Sequence, residues 1–317
     1  MTRAFVFPGQ GSQRVGMGKN LSDAFPTARH VFEEVDETLK QNLTRIMFEG
    51  PDEELRLTEN AQPALMAVSV AIVRAIQEEG NLSLPDIANY VAGHSLGEYA
   101  ALAAAGALSL ANTAQLLKLR GTTMQKAVPV GEGAMAALMG PTVEDTEMIV
   151  QDALAAGAEG EVCDLANDNA PGQVVVSGST SAVERAVKIA SERGAKRSIM
   201  LPVSAPFHCS LMQPAADTMA EALGRTTILP PALPLVANVT ANEVRDPEEI
   251  RVNLVMQVTE RVRWRESVQL LTSKGIETLV ETGSGTVLSG LARRINRDLS
   301  SVSIQSPEDI EAFLSRM

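Results

Sequence analysis

Apolar and polar positions recur along this chain with two periods. The run Ala4 to Pro8 is short and continuously apolar, as in a buried strand, and it breaks into Gly9-Gln10-Gly11-Ser12-Gln13. Helical spacing follows at Val31, Val35 and Leu39, and again from Ala64 to Ile76. A strand is predicted over about Ile87 to Gly93, then a sharp turn and an alanine-rich helix. No residue from Tyr99 to Leu117 is charged, which raises the question of a membrane span. Alanine gives little drive into lipid, however, and the amides of Asn112 and Gln115 are costly there. The stretch reads as two close-packed helices broken near Gly106. Strand, helix and strand in alternation predict a parallel sheet with helices on both faces.

The middle of the chain follows another pattern. A strand is expected over Gly133 to Gly140, then a helix opened around Thr142 to Asp145. Two apolar runs come next, Val162 to Ala166 and Gln173 to Gly178, separated by the turn-rich Asn167 to Gly172. Ser181-x-x-Glu184 reads as a capping box for a helix to about Arg193, and a last strand runs near Arg197 to Val203. The order β-α-β-β-α-β is that of a ferredoxin-like unit. We place this small subdomain at 130–202, inserted into a large α/β domain made of 1–129 and 203–317. After it, Leu235 to Val239 and Glu277 to Glu281 read as strands. Asp246-Pro247-Glu248-Glu249 reads as a helix start, and a helix is expected over Val287 to Ile295.

Among the 317 residues, 27 basic side chains face 39 acidic ones, a net charge of −12 that argues against a nucleic-acid partner. Aromatics, at 3%, are too few for base-stacking platforms. The 2 cysteines, Cys163 and Cys209, make no disulfide framework, which suits a reducing cytosol. No segment reads as an export signal or a membrane anchor, and no cluster has metal-ligand spacing.

Gly93-His94-Ser95-Leu96-Gly97 is a G-x-S-x-G turn between a predicted strand and a predicted helix. Three fixed positions arise by chance in roughly one chain in ten of this length, so the context carries the signal. Flanking glycines allow a strained turn that exposes a nucleophilic serine, and the helix N-terminus favours an oxyanion. A tight turn with a capping serine is the plainer alternative. Of the 3 histidines, His30 lies on an acidic amphipathic helix and His94 neighbours Ser95 in the chain, which leaves His208 as base by elimination. Cys209 as a rival nucleophile has no second base beside it. Arg120 falls on an apolar helical stripe with Leu116, Leu119, Thr123 and Met124. A guanidinium there pairs either with an internal glutamate or with a substrate carboxylate. Position 14 is arginine, so the Gly9-Gln10-Gly11 loop lacks the third glycine of a dinucleotide site; its N–H groups suit an oxyanion hole instead.

Taken together, Phe7-Pro8-Gly9-Gln10-Gly11-Ser12-Gln13, Gly93 to Tyr99, Arg120-Gly121 with Met124-Gln125, Asn169 to Val175 and Pro206-Phe207-His208-Cys209 closely resemble the malonyl-CoA:acyl carrier protein transacylases. The resemblance runs in order over essentially the whole chain. It implies a hydrolase-like parallel-sheet large domain with the ferredoxin-like insert, and malonyl transfer in fatty acid biosynthesis. It also implies Ser95 as nucleophile, His208 as general base and acid, and Arg120 on the malonyl carboxylate. The amides of Gln10 and Leu96 would form the oxyanion hole, and the Gln257 carbonyl would orient the histidine. The expected substrates are malonyl-CoA and an acyl carrier protein bearing phosphopantetheine, with no cofactor, no nucleic acid and no membrane. A cytoplasmic monomer is expected. Arg261, Arg263 and Arg265, or Arg293, Arg294 and Arg297, are candidates for docking the acidic carrier protein. Phe207 would narrow the room at the malonyl α-carbon. Two rivals remain: a serine esterase or thioesterase with Asp164 or Asp168 as triad acid, and the same chemistry in a polyketide pathway. A scaffold that only binds carrier protein fits poorly with Ser95, His208 and Arg120 all present.

Overall fold

The computed structural model describes residues 2–317. Ten strands run through them: β1 (Arg3–Phe7), β2 (Tyr90–Gly93), β3 (Gly133–Met139), β4 (Cys163–Ala170), β5 (Gln173–Ser179), β6 (Arg197–Met200), β7 (Leu235–Val236), β8 (Glu243–Val244), β9 (Thr278–Thr282) and β10 (Ser300–Ile304). Six form one sheet in the order β10-β9-β1-β2-β7-β8, parallel except for the β7–β8 pair. The inner position of β1 explains its unbroken apolar run. Ala4 and Val6 pack on one face with Trp264 and Leu288, while Phe5 and Phe7 face the other core. Across that second face lies the buried helix Thr58–Gly80.

Helix Leu110–Ala127 packs beside it, and Gly121 shows how closely. A Cβ there would come 2.6 Å from the Thr58 carbonyl and the Glu59 Cα, so the helices touch backbone to backbone. This approach carries the neighbouring Arg120 into the interior. The uncharged stretch is two helices, Leu96–Ala104 and Leu110–Ala127, with Gly106 in the left-handed region between them. Among the described residues no helix is long and apolar enough to cross a membrane.

Strands β3 to β6 make a separate antiparallel sheet in the order β4-β5-β3-β6. Helices Val143–Ala155 and Thr180–Glu192 cover one face, where Ala136, Leu138 and Val176 meet Ile149, Ala153, Val183 and Ala186. The alternate residues Met135, Ala137 and Val175 belong to the main core instead. Period-two patterning thus joins the small sheet to the rest of the molecule. A second joint is polar: the Asp168 N–H donates to the Val262 carbonyl at 2.9 Å, and the Val262 N–H donates to that of Ala166 at 2.8 Å.

Several expectations are corrected. The stretch 167–172, expected as a turn, is strand as far as Ala170, and only Pro171-Gly172 turns. Its polar residues are tolerated because the large unit supplies partners: Asn167 bridges Val262, Asp168 takes Arg265 and Asn169 takes His94. Ser181 caps no helix; its hydroxyl donates to Glu161, and the helix starts at Thr180 after Ser179. The strand expected from Ile87 begins only at Tyr90, because Leu84–Ile87 closes into a short helix behind Ser83. Strand β6 ends at Met200, shortly before Pro202, which has no N–H for the ladder. Strand β7 ends at Val236, where the chain turns to bring in Asn238.

Asp168 is fully buried, and Arg265 Nε reaches its two oxygens at 3.0 and 2.9 Å. Asp168→Asn is therefore expected to cost about 2 kcal/mol in urea unfolding. That is less than the roughly 3–5 kcal/mol of a wholly buried pair, because Arg265 is 26% exposed and can turn to water. An unchanged midpoint would show that the pair does not hold the two units together.

Candidate active site

Ser95 sits between β2 and helix Leu96–Ala104 with φ 53° and ψ −114°, a strained conformation for a residue with a side chain. The turn closes so tightly that a Cβ at Gly93 would fall on the Gly97 carbonyl, and one at Gly97 on the carbonyl of Phe7. Asn238 clamps it: its Oδ1 accepts from the Ser95 N–H at 2.8 Å and its Nδ2 donates to the Gly93 carbonyl at 2.6 Å.

His208 lies in the loop beyond β6, also with positive φ (57°), and is buried. Its Nδ1 is 2.7 Å from the Gln257 main-chain oxygen, which can only accept, so Nδ1 carries the proton. Nε2 is then free to accept from Ser95 Oγ, 2.8 Å away. Burial, and next the Arg120 charge, hold the imidazole down to about 3, against the pull of the Gln257 bond. The triad acids of the esterase reading are elsewhere. Asp164 accepts from the Ser210 N–H and hydroxyl at 2.8 and 2.9 Å, and Asp168 is held by Arg265. That reading fails on geometry. Cys209 is no rival nucleophile, since burial pushes its thiol up to about 11. His30 is exposed, and His94 is half-buried with its ring against Asn169 at 2.8 Å.

Arg120 is 1% exposed. Nη1 donates to Gln62 Oε1 at 2.9 Å, and Nη2 donates to Gln257 Oε1 at 2.9 Å and to Ser95 Oγ at 3.1 Å. The guanidinium carbon is 5.7 Å from the centre of the Tyr99 ring. Among the described residues no carboxylate lies within ion-pair distance, so the internal salt bridge is not formed. A buried carboxyl, Glu98, is reached through Gln257, whose Nε2 donates to Glu98 Oε2 at 2.7 Å and to the Ser95 carbonyl at 3.0 Å. Burial pushes the Glu98 carboxyl up to about 7, against the hydrogen bonds from Gln257 and Asn238.

Phe7 pairs with Gly93, so the loop after β1 lies beside the turn. The main-chain N–H groups of Gln10 in that loop and of Leu96 at the helix start donate to no acceptor among the described residues. The structure thus brings His208 and Arg120 onto one oxygen, Ser95 Oγ, with Gln257 bonded to both behind it and two unused N–H groups on the flanking segments. The contacts of Gln62, Asn238 and Glu98 were missed in the sequence. Gln62 is an amide inside an apolar helix, and Glu98 is the last charge before the uncharged stretch; both were signals of internal partners. The first basic group is neutralised in place, Arg261 by Glu147, Arg263 by Glu266 and Arg265 by Asp168. Arg293, Arg294 and Arg297 remain exposed, without an ion pair among the described residues. No cluster among those residues is placed to hold a metal.

Known proteins resemble this chain along nearly its whole length. The acyl transferase domain family matches residues 4–303. The malonyl CoA-acyl carrier protein transacylase of Bacillus subtilis (strain 168) is 46% identical over 314 residues, 99% of this chain and 96% of its own length. That of Escherichia coli (strain K12) is 42% identical, covering 98% of each chain. The crystal structure of acyl-carrier-protein-S-malonyltransferase from Bartonella henselae superposes with a TM-score of 0.96 at 53% identity, over 100% of this chain and 99% of that one. A malonyl-transacylase solved in complex with its type II PKS acyl-carrier protein gives 0.95 at 41% identity, with 100% of both chains covered.

The neutral state of His208 has a thermodynamic consequence. With its folded value near 3 and its unfolded value near 6.5, the imidazole supports the fold above pH 6.5 and loses that support as pH falls toward 3. The difference in unfolding free energy between wild type and His208→Gln should fall by up to about 1.4 kcal/mol per pH unit between pH 6 and 4. A difference that stays flat over this range contradicts a buried neutral base.

Proposed function

The chain belongs to the malonyl CoA-acyl carrier protein transacylases of the acyl transferase family, and from that premise we propose that it transfers malonyl from coenzyme A to the pantetheine thiol of an acyl carrier protein, by way of an ester on Ser95. It is an acyltransferase. The observation that supports this route is one hydroxyl, Ser95 Oγ, with the His208 imidazole at 2.8 Å and the Arg120 guanidinium at 3.1 Å.

In the first half-reaction Ser95 Oγ attacks the thioester carbonyl while His208 Nε2 takes its proton. The Gln10 and Leu96 N–H groups receive the oxyanion, worth about 3 kcal/mol per donor. The carbon–sulfur bond breaks, and CoA leaves as a thiol with the proton from His208. In the second, the pantetheine thiol gives its proton to His208 and attacks the ester, and the proton returns to Ser95 as the malonyl thioester departs. Arg120 binds the malonyl carboxylate bidentately. The Gln257 carbonyl keeps the imidazole in the required tautomer, so a Ser–His dyad works without a third acid. Phe207, largely buried beside the base, restricts substituents at the malonyl α-carbon. Arg293, Arg294 and Arg297 form the docking face for the acidic carrier protein.

We read the larger unit, 1–129 and 203–317, as hydrolase-like and the inserted 130–202 as ferredoxin-like, a reading supported by the β4-β5-β3-β6 order with two helices on one face. The reading includes a cytoplasmic, monomeric enzyme without a cofactor of its own, serving fatty acid biosynthesis. The solved complex with a type II PKS carrier protein keeps a polyketide role as a second reading. Rates with a fatty-acid and a polyketide carrier protein, measured side by side, separate the two.

Wild type exposed to malonyl-CoA should gain one malonyl mass, lost again on adding holo carrier protein, and Ser95→Ala should gain none; a persisting adduct in that variant would place the ester elsewhere. Arg120→Ala should lower kcat/KM for malonyl-CoA about tenfold or more, as expected on losing a hydrogen-bonded charge pair, while acetyl transfer holds or rises. Equal losses on both donors would remove the carboxylate-binding role.

A further inference from the structure

The mechanism uses Arg120, His208 and the Gln257 main chain, but not the carboxylate buried behind them. Glu98 is 1% exposed, on the first turn of the helix that begins at Leu96. Its Oε2 accepts from Gln257 Nε2 at 2.7 Å and from the Asn238 N–H at 3.2 Å, whereas its Oε1 has no partner. The Gln257 amide is saturated: both Nε2 protons are given away, to Glu98 and to the Ser95 carbonyl, and Oε1 accepts from Arg120 Nη2 at 2.9 Å. Turning the amide over would set its oxygen against two acceptors and its NH₂ against the guanidinium. Glu98 is one of the three groups that oppose this, with the Ser95 carbonyl and Arg120.

We propose that Glu98 is a positioning residue for acyl-group selection: by accepting from Gln257 it fixes that amide with its oxygen toward Arg120, and so holds the guanidinium beside Ser95 where a malonyl carboxylate binds. The proposal rests on the reading of Arg120 as carboxylate binder. What matters is an acceptor at the Oε2 position. Burial pushes the carboxyl up to about 7, and Oε2 can accept whether the group is ionised or protonated. An acetyl group makes no use of Arg120, so a loosened guanidinium costs malonyl transfer and leaves acetyl transfer nearly untouched.

The test compares kcat/KM for malonyl-CoA and acetyl-CoA in Glu98→Ala, Glu98→Gln and Arg120→Ala. Glu98→Ala is expected to lose about tenfold or more on malonyl-CoA and less than about threefold on acetyl-CoA. Glu98→Gln, whose Oε1 takes over the acceptor position, should return malonyl transfer to within about threefold of wild type. Absence of a malonyl-selective loss in Glu98→Ala, or a Glu98→Gln as impaired as Glu98→Ala, overturns the proposal. If Glu98→Ala does not fold, Gln257→Met cuts the same link, and an undiminished malonyl preference in that variant is equally fatal. A selective Arg120→Ala beside an unselective Glu98→Ala removes only the role of Glu98. Equal losses on both donors in Arg120→Ala remove the substrate reading itself.

Discussion

Arg120 is a full positive charge taken out of water and given no carboxylate to touch. An unpaired buried charge costs about 3–5 kcal/mol, so its surroundings are arranged to hold it without cancelling it. Two amide oxygens, a serine hydroxyl and the face of Tyr99 supply partial negative charge only. A glutamate in direct contact would pair the charge and, on the proposed reading of Arg120, would also occupy the place of the substrate carboxylate. The site therefore keeps one anion too few. Glu98 is near enough to ease the field across Gln257, yet separated from the guanidinium by that amide.

Much of the scaffold follows from this need to bury one helix against another and still deliver a charge. Gly121 lets the backbones of the two helices touch, which sets Arg120 opposite Gln62. The turn at Ser95 depends on the same economy of space, since neither Gly93 nor Gly97 has room for a Cβ. Asn238 adds what sequence spacing does not show, a side chain from beyond β7 that fixes the turn from both sides.

The legible parts of the sequence were those governed by local rules. The β1 run, the strained G-x-S-x-G turn, the split of the alanine-rich stretch at Gly106 and the Thr142 cap are each decided within a few residues. His208 was reachable because only 3 histidines exist and two had local explanations. What escaped was set at long range. Asn167 to Asn169 carry turn-forming side chains, yet they extend as strand because Val262, Arg265 and His94 arrive from other parts of the chain to satisfy them. Gln62 is one amide among many until the fold sets it against Arg120. Arg261, Arg263 and Arg265 look like a basic patch in sequence and are paired in space with Glu147, Glu266 and Asp168.

On the proposed pathway, the low basicity of His208 bears on selection as well as on proton transfer. Burial and the Arg120 charge both oppose an imidazolium, and the proposed pathway forms one in each half-reaction. A malonyl carboxylate seated on Arg120 offsets that charge a few ångströms from the ring, so the base gains proton affinity when the correct acyl group is in place. An acetyl group leaves the guanidinium uncompensated, and the imidazolium must form against it. On the proposed pathway the same cation discriminates twice, once in holding the carboxylate and once in the barrier to proton transfer. Only the second contribution is realised in the transition state, and that is the kind of interaction that raises kcat rather than lowering KM.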